Sequence, residues 1–182
     1  MNPQDPWPRP LGGAGDGRRF GPDLDLTQEH CRCLFLSGSR FFAAHARLED
    51  AVISETVHNT PEPTALEEAS SYMIESAEAL RAGLSTVHSR RGVIEEVPEG
   101  RWQRAYFATQ AEGLDTLAAV ADELAELFAG PGLGEEARQG ELQESLWHSG
   151  TNHRVRTASI EYLRHFMSLL DHHIGVVEET NR

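Results

Sequence analysis

Apolar residues recur at intervals of three and four along four long segments of the chain, and this spacing places them on one face of an α-helix. The segments cover about residues 25–58, 64–96, 101–129 and 152–179. No segment has the alternating, β-branched pattern of a strand. The predicted apolar stripes are, in chain order, Leu34, Phe41, His45, Leu48 and Val52; Leu66, Ala69, Met73, Ala77, Leu80, Leu84, Val87 and Ile94; Trp102, Tyr106, Leu114, Leu117, Val120, Leu124 and Phe128; and Ile160, Leu163, Phe166, Met167, Leu170, Ile174 and Val177.

The residues between these segments end one helix and begin the next. Pro61 follows the first segment and prevents the helix from continuing. Thr64 with Glu67 is predicted to form a capping box at the start of the second segment. Short connections make consecutive helices antiparallel neighbours. We therefore predict an all-α fold, an antiparallel up-down-up-down four-helix bundle, in a single domain over residues 23–182. The connection between the third and fourth helices is long, and residues 135–147 within it are predicted to form a short helix.

Residues 1–22 contain five of the nine prolines and five glycines. A segment of this composition cannot bury enough apolar surface to order itself. We predict a disordered, flexible tail there.

The formal net charge is −13 at pH 7, from 29 acidic against 16 basic residues. Such a chain repels phosphate backbones and anionic lipid, so we expect no nucleic-acid partner and no membrane partner. No stretch approaches the length of a membrane span. The two cysteines, Cys31 and Cys33, are too close in sequence to form a disulfide framework, and a cytoplasmic location is expected.

Histidine is the one enriched residue type that suggests chemistry, with nine in the chain. When the helices are folded at their turns, one end of the bundle gathers polar side chains around a partly enclosed space. The members of this candidate pocket are Cys31, His88, Arg91, Tyr106, Gln110 and His173. Thiolate and imidazole are ligands for a divalent transition metal such as zinc, which makes Cys31, His88 and His173 the candidate metal ligands. The alternative is that polar residues lie at a wet bundle end without any function.

His45 lies near the middle of the first apolar stripe, and Glu49 follows it by one turn. This spacing occurs in di-metal bundles, but the residues expected opposite His45 are apolar and cannot bind a metal. We expect a core histidine hydrogen-bonded to Glu49.

No catalytic motif stands out, so whether the chain is an enzyme stays open at this point. Apolar residues on α-helix 1 also spread beyond one face, at Phe35, Leu36, Phe42 and Ile53, and this indicates a second contact surface. We expect a non-catalytic helical-bundle protein that binds a partner protein or a small ligand as a homodimer. The alternatives are a metal-binding or metal-dependent bundle enzyme and a helical nuclease that uses Arg81 and His88.

Overall fold

The computed structural model describes the backbone of four helices and most of their side chains. The described backbone covers residues 23–58, 62–95, 101–130, 133 and 150–180, and the described side chains cover 29–58, 62, 64–88, 108, 110–130, 133 and 153–171. The helices are α1 (Asp23–His58), α2 (Pro63–Glu95), α3 (Arg101–Ala129) and α4 (Gly150–Thr180). Their bounds agree with the predicted ones to within two residues, and no strand occurs among the described residues. The predicted tail and the predicted helix over 135–147 lie outside the described part of the chain.

Ion pairs between α1 and α2 show that the two helices run antiparallel. Arg40 Nε lies 2.7 Å from Glu75 Oε2, and Arg47 Nε lies 2.7 Å from Glu68 Oε2. The residue number rises by seven on α1 and falls by seven on α2 between these pairs. The same relation holds between α2 and α3, where Ser70 donates a hydrogen bond to a carbonyl oxygen near the end of α3.

Two glycines let α4 approach the rest of the bundle. A Cβ at Gly38 of α1 would lie 2.8 Å from Cζ of Phe166, and a Cβ at Gly113 of α3 would overlap the Leu169 side chain. Arg154 near the start of α4 also reaches the end of α3. Because α4 contacts α1 and α3 and runs antiparallel to both, the four helices form the predicted up-down-up-down bundle.

Over the described residues, most of the predicted apolar stripes of α1, α2 and α3 are buried, and Leu48, Val52, Leu84 and Val120 are partly buried against the core. The core includes Leu34, Phe41, Leu66, Ala69, Met73, Ala77, Leu80, Val87, Leu114, Leu117, Leu124 and Phe128. The three helices therefore use the faces that hydrophobic spacing selects.

The buried face of α4 differs from the predicted one. Ile160, Leu163 and Met167 were expected in the core, but they are 57%, 37% and 49% exposed. The buried residues of α4 are Val155, Ala158, Tyr162 and Leu169, with Phe166 partly buried. This helix carries two apolar stripes, and the one that contains a tyrosine hydroxyl faces the core.

Candidate functional site

The candidate pocket at the end of the bundle is only partly covered by the described side chains. Gln110 is fully buried, as an enclosed site requires. Cys31 and His88 are exposed, so the structure does not bring their side chains into an enclosed space with Gln110. The side chains of Arg91, Tyr106 and His173 lie outside the described part of the chain.

His30, which the sequence analysis missed, is the buried polar residue at the start of α1. Adjacent helical residues are rotated by about 100°, so when His30 faces inward Cys31 is turned outward. The signal was present in the sequence, because His30 precedes Leu34 of the apolar stripe by one turn. The start of α1 packs beside the end of α2, which lies beside the start of α3, so His30 and Gln110 belong to the same end of the bundle.

The side-chain amide of Gln110 is an unusual feature of this end. Neither its oxygen nor its nitrogen has a hydrogen-bond partner in the part of the chain that the structure describes, although the residue is 0% exposed. A buried polar group without a partner destabilises the fold by about 1–3 kcal/mol. A small polar ligand at this end would satisfy the amide, and such a pocket stays a prediction.

The described residues contain no group of three or more His, Cys, Asp or Glu side chains placed to hold a metal ion. The metal site predicted from Cys31, His88 and His173 stays a prediction, because the side chain of His173 lies outside the described part of the chain. Cys33 is buried, and its burial, with the nearby carboxylate of Glu29, raises the pKa of its thiol to about 11. That thiol is therefore protonated at neutral pH and is a poor metal ligand.

His45 links α1 to α4. Its Nδ1 lies 3.0 Å from the carbonyl oxygen of Phe41, and its Nε2 lies 2.9 Å from Oγ of Ser159. Its ring packs against the Phe41 ring with centroids 4.2 Å apart. The predicted hydrogen bond to Glu49 is wrong, since both ring nitrogens have other partners and Glu49 is exposed. Burial lowers the pKa of His45, so the neutral imidazole is favoured.

The contact between Ser159 and His45 joins a hydroxyl to an imidazole, as nucleophilic catalysis requires. Ser159 lies in the middle of α4, however, and also donates a hydrogen bond to the carbonyl oxygen of Val155 at 2.7 Å. Backbone N–H groups in the middle of a helix are used in the helix itself, so none is free to stabilise an oxyanion beside Ser159. The pair is better suited to holding two helices together than to attacking a substrate.

Three hydroxyl groups form a buried cluster at the centre of the bundle. Oγ of Ser37 lies 2.7 Å from Oγ of Ser76, and Ser76 lies 3.0 Å from the hydroxyl of Tyr162, which also bonds Ser37. All three residues are 0% exposed. Each hydroxyl can donate one bond and accept another, so the cluster satisfies itself without charge. The cluster joins α1, α2 and α4. Burial raises the pKa of the Tyr162 hydroxyl.

Large apolar side chains are exposed along the seam between α1 and α4. Phe35 and Phe42 on α1 are 57% and 62% exposed, and three residues of α4 accompany them. We call this surface the apolar face and define it as Phe35, Phe42, Ile160, Leu163 and Met167.

The contacts across the seam show that these five residues are neighbours. Gly38 meets Phe166, and His45 meets Ser159, so these residues mark the sides of α1 and α4 that touch each other. On each helix, the residues of the apolar face are rotated about the helix axis by about 40–100° from these contact residues. The rotation is towards the side away from the core. Phe42, one turn after Gly38, is then level with Leu163, which makes the apolar face continuous across the two helices.

Comparison with family models, curated proteins and solved structures finds no match to this chain. Among the described residues, no helix has a stretch that is both long enough and apolar enough to span a membrane. The evidence for function therefore comes from the chain's own residues.

Proposed function

We propose that this chain is a non-catalytic helical-bundle protein that binds another protein through the apolar face and acts as a homodimer. The observation that carries the proposal is the exposure of five large apolar side chains, between 37% and 62% each, side by side on two helices. Scattered exposed apolar residues are common, whereas a continuous group of this kind is typical of an interaction surface.

The energy available from covering the apolar face supports association. Full burial of a large apolar side chain contributes about 1.5–3 kcal/mol, and each of these residues still exposes roughly half of its surface. Covering all five therefore contributes about 5 kcal/mol per protomer before the cost of association. This is enough for a dimer that responds to concentration, and too little for one that never dissociates.

The interior polar groups support a non-catalytic role. The hydroxyls of Ser37, Ser76 and Tyr162 bond one another, and the imidazole of His45 bonds a carbonyl oxygen and a serine. Each of these groups is occupied in joining helices, so none is free to react with a substrate.

Sedimentation velocity over about a hundredfold range of concentration tests the proposal. The chain has a mass of 20.2 kDa, and we expect a concentration-dependent shift towards twice that mass. Phe42→Glu places a charge in the apolar face and should hold the chain as a monomer. Ile74→Glu is the matched control, since Ile74 is 48% exposed on α2, away from the apolar face, and that variant should dimerise like the parent chain.

Two results would contradict the proposal. A parent chain that is monomeric at every concentration removes the homodimer, and a Phe42→Glu variant that dimerises as strongly as the Ile74→Glu variant removes the apolar face as its interface. Circular dichroism of each variant shows whether the bundle is still folded.

A further inference from the structure

We infer that the two copies pack α1 against α1 and α4 against α4, antiparallel, about a two-fold axis that crosses both helices at right angles near Phe41 and Leu163. This inference rests on the proposed function, because it names the arrangement in which a second copy covers the apolar face. It is carried by the order of charged and apolar residues along the two helices.

Exposed charges of opposite sign lie at the two ends of the apolar face on each helix. On α1, Arg32 lies about one turn before Phe35, and Asp50 lies about two turns after Phe42. The apolar face on α1 is therefore flanked by a positive charge at one end and a negative charge at the other, and Arg32 also lies 4.0 Å from Glu29 on its own helix. Asp50 also contacts Arg47 on its own helix, but this pair is exposed and such pairs contribute little to stability.

The charges along α4 follow the same order as those along α1, with a positive charge towards the N-terminal end and a negative charge towards the C-terminal end. Exposed Arg156 lies one turn before Ile160, and exposed Asp171 lies one turn after Met167. An antiparallel copy therefore brings Arg156 against Asp171 of the partner subunit, just as it brings positive against negative along α1. Opposite charges at both ends of an interface favour one register over the others.

One axis serves both helices. The midpoint of Arg32 and Asp50 on α1 is Phe41, and the midpoint of Arg156 and Asp171 on α4 falls next to Leu163. Phe41 stacks on the ring of Tyr162 with centroids 4.3 Å apart, so the two midpoints lie at the same level of the bundle. A two-fold interface needs such a coincidence, because one axis must relate all of its contacts.

The apolar residues of α1 also fit this register. About an axis at Phe41, Phe35 is level with Arg47 of the partner subunit and Phe42 with Arg40 of the partner subunit. These arginines turn towards α2, so each phenylalanine meets the preceding residue instead, Ala46 of the partner subunit or Ser39 of the partner subunit. Ala46 and Ser39 are exposed and small. Each phenylalanine therefore meets a small residue, which allows the helices to approach and interdigitate.

A different two-fold axis, parallel to the helices, would pack α1 against α4 of the second copy. It would also bring opposite charges together, but it sets Phe42 against Leu163 of the partner subunit, whereas the antiparallel arrangement sets Phe42 beside the smaller Ser39 of the partner subunit and Leu163 beside Leu163 of the partner subunit. The two arrangements differ in the position of Cys31. In the antiparallel arrangement Cys31 is ten residues from the axis, which separates the two copies of this residue by about 30 Å. In the other arrangement, the two copies of Cys31 lie at the same level along the helices and are separated by about 15 Å.

Double electron–electron resonance on a nitroxide attached to Cys31 measures this distance. Cys31 is exposed and Cys33 is buried with a raised thiol pKa, and a Cys33→Ala background ensures that only one thiol is labelled. We expect a distance distribution centred near 30 Å, present at concentrations where sedimentation shows a dimer. A dimer with a distribution near 15 Å overturns the antiparallel arrangement and leaves the proposed function standing. A chain that never dimerises overturns both.

Charge reversal provides a second, independent test. Arg32→Glu should weaken dimerisation about tenfold, because the dimer contains two copies of each pair. Adding Asp50→Arg should restore it in the antiparallel arrangement, whereas adding Asp171→Arg should restore it only in the alternative one. Arg40→Glu is the matched control, since it makes the same change of charge on the side of α1 that faces α2 and should leave dimerisation unchanged. Restoration by Asp171→Arg alone would overturn the inference.

Discussion

The Tyr162 hydroxyl decides how strongly the buried hydroxyl cluster stabilises the bundle. Tyr162→Phe removes this hydroxyl but keeps the ring, which stacks on Phe41 at an interplanar angle of 2°. Ser37 and Ser76 still bond each other at 2.7 Å, so each serine loses only its bond to the tyrosine. A buried hydrogen bond contributes about 1 kcal/mol and an unsatisfied buried group costs about 1–3 kcal/mol. We expect the free energy of unfolding to fall by about 1.5–3 kcal/mol.

The cluster should also behave as one unit. When all three hydroxyls are removed, in Ser37→Ala with Ser76→Ala and Tyr162→Phe, no polar group is left without a partner. The combined variant should therefore lose less stability than the sum of the three single variants, by about 1 kcal/mol or more.

Urea unfolding followed by circular dichroism gives these free energies. All variants are compared at one protein concentration, because the proposed dimer would make stability depend on concentration. Tyr72→Phe is the matched control, since Tyr72 is partly buried beneath the guanidinium of Arg40, and its loss should stay below about 0.5 kcal/mol. A Tyr162→Phe variant as stable as this control would refute the reasoning. So would single variants whose effects simply add.

Two further predictions concern the other interior polar groups. Burial lowers the pKa of His45 below the usual 6.5, so the unfolded chain takes up this proton first as the pH falls. The stability of the parent chain relative to His45→Gln should be constant above about 6.5 and should decrease as the pH falls from there towards the lower pKa of the folded state; urea unfolding at a series of pH values checks this, and a flat difference contradicts it. Gln110→Met removes a buried amide that has no partner among the described residues and should raise the free energy of unfolding by about 1 kcal/mol. A loss of stability in the same urea assay would mean that the amide has a partner.

The fold could be predicted from the sequence because α2 and α3 each have one dominant apolar stripe, and α1 buries the stripe that the spacing selects, although Phe35 and Phe42 lie outside it. Met73, Ala77 and Leu80 on α2, for example, are separated by residues that are exposed or partly exposed, apart from the buried Ser76. Helix-breaking residues then indicated the helix ends to within two residues, although α2 begins at Pro63, one residue before the predicted cap Thr64. These signals are local in the chain, so no knowledge of the partner helices was needed.

The interior polar residues could not be predicted in the same way. Ser37 and Ser76 add nothing to an apolar stripe, and their partners lie 39 and 125 residues away in the chain. The error at the bundle end has a simpler cause. Placing Cys31 instead of His30 towards the interior is a shift of one residue, which rotates the side chain by about 100°.

The misassigned face of α4 and the apolar face have the same origin. An amphipathic helix with a single stripe of apolar residues is satisfied by one contact, but α4 has two stripes. One contains Tyr162, whose ring stacks on Phe41 and whose hydroxyl bonds Ser37 and Ser76, so this stripe faces the core without leaving that hydroxyl unpaired. The other, with Leu163 at its centre, then remains on the surface. Covering this stripe would remove apolar surface from water, and for this reason we propose that a second copy of the chain packs on it.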